Sequence, residues 1–372
     1  MGRKAKMDIE ETEGTSPRSL TEAVKDELKF NFNLEKFKEK KQLKSDIKFK
    51  EQEWIKLSPA FNNAISLPGI PHGHITIIRG HSDSGKTTAM IEAAKSIQEA
   101  GILPVLIITE MKWSMDRAIE MGFHAKKTVD ANGSISYSGN FIYVDRDTLN
   151  TIEDVAAFIA DLLDEQSKGN IPMDIAFLWD SVGSIPCQQS YDSGKNNAMW
   201  NAGAMATQFA NFINQRIMMS RKASAKYTNS FIVVNKIRVE YPMNSPFEKP
   251  KMKNKGGDAM YWDASLVITF GNITNSGVSK IKAVKDKREV EFAKRTKVAV
   301  DKNHITEVTT TGRIVMTPHG FIEDDKKAID GYKKEHSQEW LSILGSKDFD
   351  IVEEADLDED LRDIPLEDQN ED

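Results

Sequence analysis

The sequence predicts an α/β protein in which a mostly parallel, twisted sheet is flanked by helices. Three observations predict it. The segment Gly80-His81-Ser82-Asp83-Ser84-Gly85-Lys86-Thr87-Thr88 fits the phosphate-loop pattern G-x-x-x-x-G-K-[ST] at every fixed position. A short apolar run of strand type (75–79) precedes it, and a helical pattern (87–97) follows it. Further short apolar runs then alternate with helical segments, as βα units on a parallel sheet do.

The elements follow in order. Residues 1–18 are charged and carry Gly, Ser and Pro, so they are expected to be disordered. Residues 19–29 read as a short helix capped by Ser19 or Thr21. Residues 34–50 are lysine-rich with sparse apolar positions. They suit either a solvated helix or an arm packed on another subunit, because alone they bury little. The core starts near Trp54 and enters the loop strand through a turn-rich stretch, 57–73. Strands are predicted at 103–109, 141–144, 174–179, 231–235, 265–270, 297–302 and 312–316, and helices at 152–166 and 199–219. On the last helix Met205, Phe209, Phe212 and Ile213 share a face and read most simply as core. The organisation expected is a start and arm (1–53), an ATPase core (54–322), a short C-terminal segment (323–351) and an acidic tail (352–372).

Composition limits the class. The 372 residues are 39% apolar and 29% charged, as in a globular protein with polar tails. No apolar run is long enough for a membrane-spanning helix. The N-terminal stretch lacks the apolar core of a signal peptide, and Lys6 breaks the myristoylation pattern. Cys187 is the only cysteine, which excludes an internal disulfide and a cysteine-rich zinc site. A reducing, cytoplasmic setting without a membrane is therefore expected. The net charge of −7 conceals an asymmetry. Positions 353–372 hold eleven acidic residues and one arginine, so the remaining body is slightly basic. Such a tail either solubilises the chain or acts as an interaction segment that competes for basic sites.

The glycines of the loop let backbone N–H groups turn toward an anion, and the helix dipole adds positive potential. Lys86 is expected to reach terminal phosphates and the Thr87 hydroxyl to ligate Mg²⁺, so ATP and Mg²⁺ are the expected ligands. Asp180 follows an apolar run and takes the place of a Walker B carboxylate, a second Mg²⁺ group. Ser181 comes next rather than a glutamate, so the group that activates water must come from elsewhere. Glu110 ends the predicted strand 103–109, at the sheet edge where ligands bind. It is either that base or a surface glutamate at a strand end. Two long irregular segments, 190–201 and 238–255, interrupt the core. The second carries Arg238, Lys249, Lys251, Lys253 and Lys255 with Tyr241 and Phe247 interleaved. Cations suit phosphates and flat side chains suit splayed bases, though flexible loops also have such compositions.

These residues together resemble the RecA family of strand-exchange recombinases, including phage members of the UvsX type. The resemblance runs from about residue 57 to 322. It is carried by the entry segment 65–74, Glu110 at the place of the catalytic glutamate, and 178–182 at the Walker B strand. Residues 233–238 resemble the strand that opens a second DNA loop, and Gly256-Gly257 with 258–262 resemble the segment that closes it. Residues 298–305 resemble a strand whose basic residues, here Lys302 and His304, reach the ATP of a neighbouring subunit. The resemblance also implies DNA contacts from Lys195 and Met199 of the first loop and a role for the acidic tail. Lys236 stands where the family has a phosphate-sensing glutamine, and Arg117 stands near its adenine-stacking tyrosine. Residues 323–347 are too short for the bacterial accessory domain.

What the resemblance implies is a RecA-type P-loop core acting as a DNA-dependent ATPase in homologous recombination and repair. It would form a helical homo-oligomer on single-stranded DNA and pair that strand with double-stranded DNA. Single-strand-binding or loading proteins would dock on the tail. A hexameric helicase with the same core and a nucleotide-gated mediator or scaffold remain the other readings.

Overall fold

The computed structural model describes residues 36, 39–40, 48–110, 112–193, 199–240, 250–254, 258–272, 276–344 and 350–353. The chain divides into two units, Met1–Lys48 and Phe49–Asp372. Little of the first unit is described, so the expected helix at 19–29 and most of the arm lie outside the described residues. The second unit begins earlier than the sequence suggests. Phe49 bridges Lys222, and Lys50 Nζ donates to Thr228 Oγ1 at 2.8 Å.

Residues 49–182 begin with β1 (Trp54–Ile55), α1 (Pro59–Ile65), β2 (Ile70–Pro71) and the loop strand β3 (Ile75–Gly80). Pro59 starts α1 behind the N-cap Ser58, whose hydroxyl accepts from Phe61 N–H. Then come α2 (Lys86–Glu99), β4 (Leu103–Ile108), α3 (Met115–Glu120), the small ribbon β5 (Lys126–Val129) and β6 (Ile135–Ser138), and β7 (Ile142–Asp145). A capping box of Thr151 and Asp154 opens α4 (Ile152–Lys168), and left-handed Gly169 closes it. β8 (Ile175–Val182) follows. α5 (Gln188–Ser193) and α6 (Met199–Ser220) fill much of the stretch expected to be an irregular first loop. Residues 194–198 between them are outside the described residues.

β9 (Asn229–Glu240) and β10 (Lys251–Asn254) correct a second expectation. Positions 238–240 and 251–254 are paired antiparallel, with Arg238 opposite Lys253 and Val239 opposite Met252. Both ends of the basic segment alternate charged and apolar residues, which suits a ribbon. The rest of the chain supplies α7 (Ala259–Asp263), β11 (Leu266–Phe270), β12 (Val278–Lys285), β13 (Arg288–Asn303), β14 (Thr310–Thr317), β15 (Gly320–Ile322), α8 (Lys326–Glu335), α9 (Ser337–Leu344) and β16 (Asp350–Glu353).

The main sheet is mixed, not mostly parallel. Strands β11-β3-β9-β8-β4-β7 are parallel neighbours, whereas β13, β14 and β15 continue from β11 antiparallel. The reason is local. Short connections join β11, β12, β13, β14 and β15 in succession, and without a crossover helix successive strands must reverse. The turn between β12 and β13 is Asp286-Lys287, both with positive φ (49° and 65°). It lacks the glycine that announces such turns in a sequence.

Alternate strand residues build two cores. Ile78, Leu106, Leu178, Ile232 and Ile268 pack with α1 and α2, and Ile77, Ile107, Phe177, Val233 and Val267 pack with α4 and α6. Helices thus cover both faces of the parallel half, making three layers. A third cluster joins the β12–β13 hairpin to the C-terminal segment through Phe292, Val315, Ile329, Tyr332 and Leu344. Among the described residues, no helix is long and apolar enough to cross a membrane.

Candidate functional site

β3 ends at Gly80, where φ is 155° and a Cβ would strike the Phe270 carbonyl on neighbouring β11. Only glycine fits that approach. At Gly85 (φ 112°) a Cβ would lie 3.2 Å from the Phe270 ring. Gly85 is also the N-cap of α2 and has no side chain to bond the first helical N–H groups. These donors sit at the positive end of a 14-residue helix. Ser82, Asp83, Gly85, Lys86, Thr87 and Thr88 line a cavity of about 440 Å³. Within the loop, Ser84 Oγ donates to the His81 carbonyl at 2.9 Å, and Lys86 Nζ donates to the same oxygen. Gly80, His81 and Ser84 shape the loop behind the cavity.

The register of the parallel strands brings the remaining groups together. Lys236 on β9 lies opposite Gly80, and Asp180 on β8 lies opposite Ile108. Asp180 is inside β8, which runs three residues past the end expected from its apolar run. Thr87 Oγ1 donates to Asp180 Oδ2 at 3.1 Å. Glu110 lies two residues beyond β4, and its N–H donates to the Asp180 carbonyl at 3.1 Å. Its carboxylate accepts from Ser181 Oγ and pairs with Lys236 Nζ at 2.8 Å. Glu110 thus stands just past its strand, largely buried and partnered by both groups.

Electrostatics in the cavity are strongly coupled. Burial pushes Asp180 up to about 6, and the Glu110 charge adds to that, against the Thr87 hydrogen bond and the nearby lysines. Burial also raises Glu110, but the Lys236 and Ser181 hydrogen bonds outweigh it and hold this carboxyl below its usual range. Burial lowers Lys86 to about 8. Asp180 opposes that shift, and the Lys236 charge reinforces it. An uncapped helix start beside a buried lysine suits phosphate. The hydroxyl and carboxylate of Thr87 and Asp180 are oxygen ligands of the kind Mg²⁺ takes.

Arg117 on α3 also lines the cavity. Its guanidinium donates to Thr88 Oγ1 at 2.9 Å and to the Pro318 carbonyl at 3.3 Å. The far wall consists of Glu291 to Lys294 on β13 and Met316, Thr317 and Pro318 at the end of β14. Sequence reasoning missed this wall. No motif marks it, and it reaches the loop only through antiparallel pairing of strands more than 200 residues later.

Other expected site residues lie elsewhere. Lys302 sits opposite Val267, at the end of β11 away from the loop, since Gly80 lies opposite Phe270. Its Nζ donates to the Tyr261 and Trp262 carbonyls at 2.9 and 2.7 Å, capping the end of α7. His304 is exposed nearby. Neither reaches the cavity of its own chain. Arg238, Lys251 and Lys253 lie exposed on the β9–β10 ribbon, where Lys253 pairs with Glu240. Met199 is the first residue of α6. Lys195, Tyr241, Phe247, Lys249, Lys255, Gly256 and Gly257 lie outside the described residues. No protein-family model matches this chain, and no curated protein matches it significantly.

Proposed function

We propose that this chain is an ATP-dependent recombinase of the RecA type. In this reading it hydrolyses ATP while assembled on single-stranded DNA, and it pairs that strand with a duplex. The observation that carries the proposal is the convergence of Lys86, Thr87, Asp180, Glu110 and Lys236 on one cavity at an uncapped helix start. The loop N–H groups and Lys86 bind phosphate, with Lys86 exchanging the His81 carbonyl for a phosphate oxygen. Thr87 and Asp180 hold Mg²⁺, which when bound neutralises charge on the phosphates. Glu110 orients a water and takes its proton. Arg117 and the Met316–Pro318 wall are left for the nucleoside.

The Lys236–Glu110 ion pair favours a second reading. A carboxylate stabilised by a lysine is a weaker proton acceptor. While the pair persists, hydrolysis is slow, as in a nucleotide-gated mediator or scaffold. Turnover then requires Lys236 to leave Glu110, for which phosphate is a competing anion.

The test is ATPase activity with and without single-stranded DNA, combined with electron microscopy of the complexes. Stimulated turnover on filaments supports the recombinase. Rings that translocate support a helicase, and DNA binding with unstimulated, slow turnover supports the scaffold.

A further inference from the structure

A second cluster of ligand-type side chains lies behind the far wall of the cavity. His319 occupies the turn between β14 and β15, His336 caps the end of α8, and Glu339 lies in the first turn of α9. The two imidazoles stack with centroids 4.0 Å apart and planes 15° apart. Glu339 Oε1 is 2.7 Å from His336 Nδ1 and 3.8 Å from His319 Nε2. One ligand atom from each residue lies within 4.8 Å of the others. The Tyr332 hydroxyl engages Nδ1 of His319 at 2.7 Å. A partner on one ring nitrogen orients the imidazole and leaves the other nitrogen to a metal.

We propose that His319 Nε2, His336 Nδ1 and Glu339 Oε1 form a site for a zinc-type divalent cation. Two imidazoles and one carboxylate are ligands for such an ion, whereas Mg²⁺ takes oxygen. The separations of 2.7 and 3.8 Å bracket the roughly 3.3 Å between ligand atoms of a tetrahedral site with bonds of about 2 Å. Imidazole binds a metal in its ring plane, so binding requires the stack of His319 on His336 to open until both nitrogens point at one ion. The fourth position is left to water. The ion would clamp α8 and α9 to the 317–320 turn. That turn supplies Thr317 and Pro318 to the cavity wall and holds Arg117 through the Pro318 carbonyl. Metal occupancy would thus stiffen the nucleoside side of the cavity. Binding of the ion itself does not depend on the recombinase reading.

The test uses the full chain, stripped of metal and free of nucleotide. Zn²⁺ is titrated by calorimetry, and Co²⁺ binding is followed by visible absorption. The expected result is one ion per chain, a tetrahedral cobalt spectrum, and a thermal midpoint that rises with Zn²⁺. His319→Ala and the exposed-site variant Glu339→Gln should each weaken binding at least about tenfold and lose the cobalt spectrum. Circular dichroism of Glu339→Gln checks that the fold persists. Absence of stoichiometric uptake by the parent chain overturns the proposal and leaves the stacked rings as packing. Equal affinity in both variants also overturns it, since the ion then sits elsewhere.

Discussion

In the proposed mechanism Glu110 depends on its neighbours as much as on its own carboxyl. Ser181 and Lys236 hold it ionised and fix its position against Asp180. Glu110→Gln should keep ATP binding and slow hydrolysis by about 10²–10⁴, because an amide accepts no proton. Lys86→Ala should lose binding as well. Wild-type turnover in Glu110→Gln would remove Glu110 from the mechanism. A different residue governs acid stability. His74 is 5% exposed, with Nε2 at 2.7 Å from Gln52 Oε1 and Nδ1 at 2.9 Å from Ser265 Oγ, a set that suits a neutral ring. Burial, then the Arg221 and His72 charges, lowers its pKa from 6.5 to about 4. The unfolded chain therefore takes the proton first as pH falls. The neutral ring contributes its full stability above pH 6.5, and that contribution is lost down through pH 4, on the order of 3 kcal/mol. Urea unfolding across this window should show a shallower pH dependence in His74→Gln than in the parent. Equal slopes would exclude His74 as the source.

At the scale of elements, Glu92 of α2 links three pieces of chain. It accepts from Ser58 N–H (3.1 Å) and Oγ (2.6 Å) before α1, and from Phe321 N–H (2.8 Å) on β15. Glu92→Ala would leave these donors unpartnered near the phosphate-loop helix and should cost about 3 kcal/mol, with Glu92→Gln milder. A fall in the denaturant midpoint at constant slope checks it, and an unchanged midpoint would show that water replaces the carboxylate. Elements of this kind differ in how visible they are in sequence. The loop, α2 and the parallel strands were legible because apolar runs, Gly80, Gly85 and Lys86 carry local signals. The β12–β13 hairpin was not, because Asp286-Lys287 adopts a left-handed turn without glycine. The ends of the basic segment were also missed, since alternation over three or four residues is too short to separate a ribbon from a loop.

At the scale of the molecule, charge is separated along the chain. β16 pairs antiparallel with β12 and ends at Glu353, opposite Ile281, while the hairpin turn beyond the other end of this pairing exposes Lys287 and Arg288. Positions 354–372 carry ten acidic residues and one arginine. Deleting them while keeping β16 should strengthen duplex DNA binding, most clearly at low salt, if the tail competes with phosphate. Unchanged binding at low ionic strength would assign the tail to solubility or to a protein partner.

The amino-acid sequence alone determined the glycine turn from Gly80 to Gly85, the buried parallel strands and the place of Asp180 after an apolar run. Each depends on short-range patterns: glycine where φ is positive, apolar runs where both sheet faces are covered, and a carboxylate at the ligand edge. Only the tertiary structure decided that half of the sheet is antiparallel and that Met316–Pro318 face the loop. It likewise decided that Lys236 pairs with Glu110, that Lys302 caps α7, and that His319 meets His336 and Glu339. Those contacts come from strand register and helix docking between distant segments, and no local periodicity encodes which distant side chain arrives at a given place.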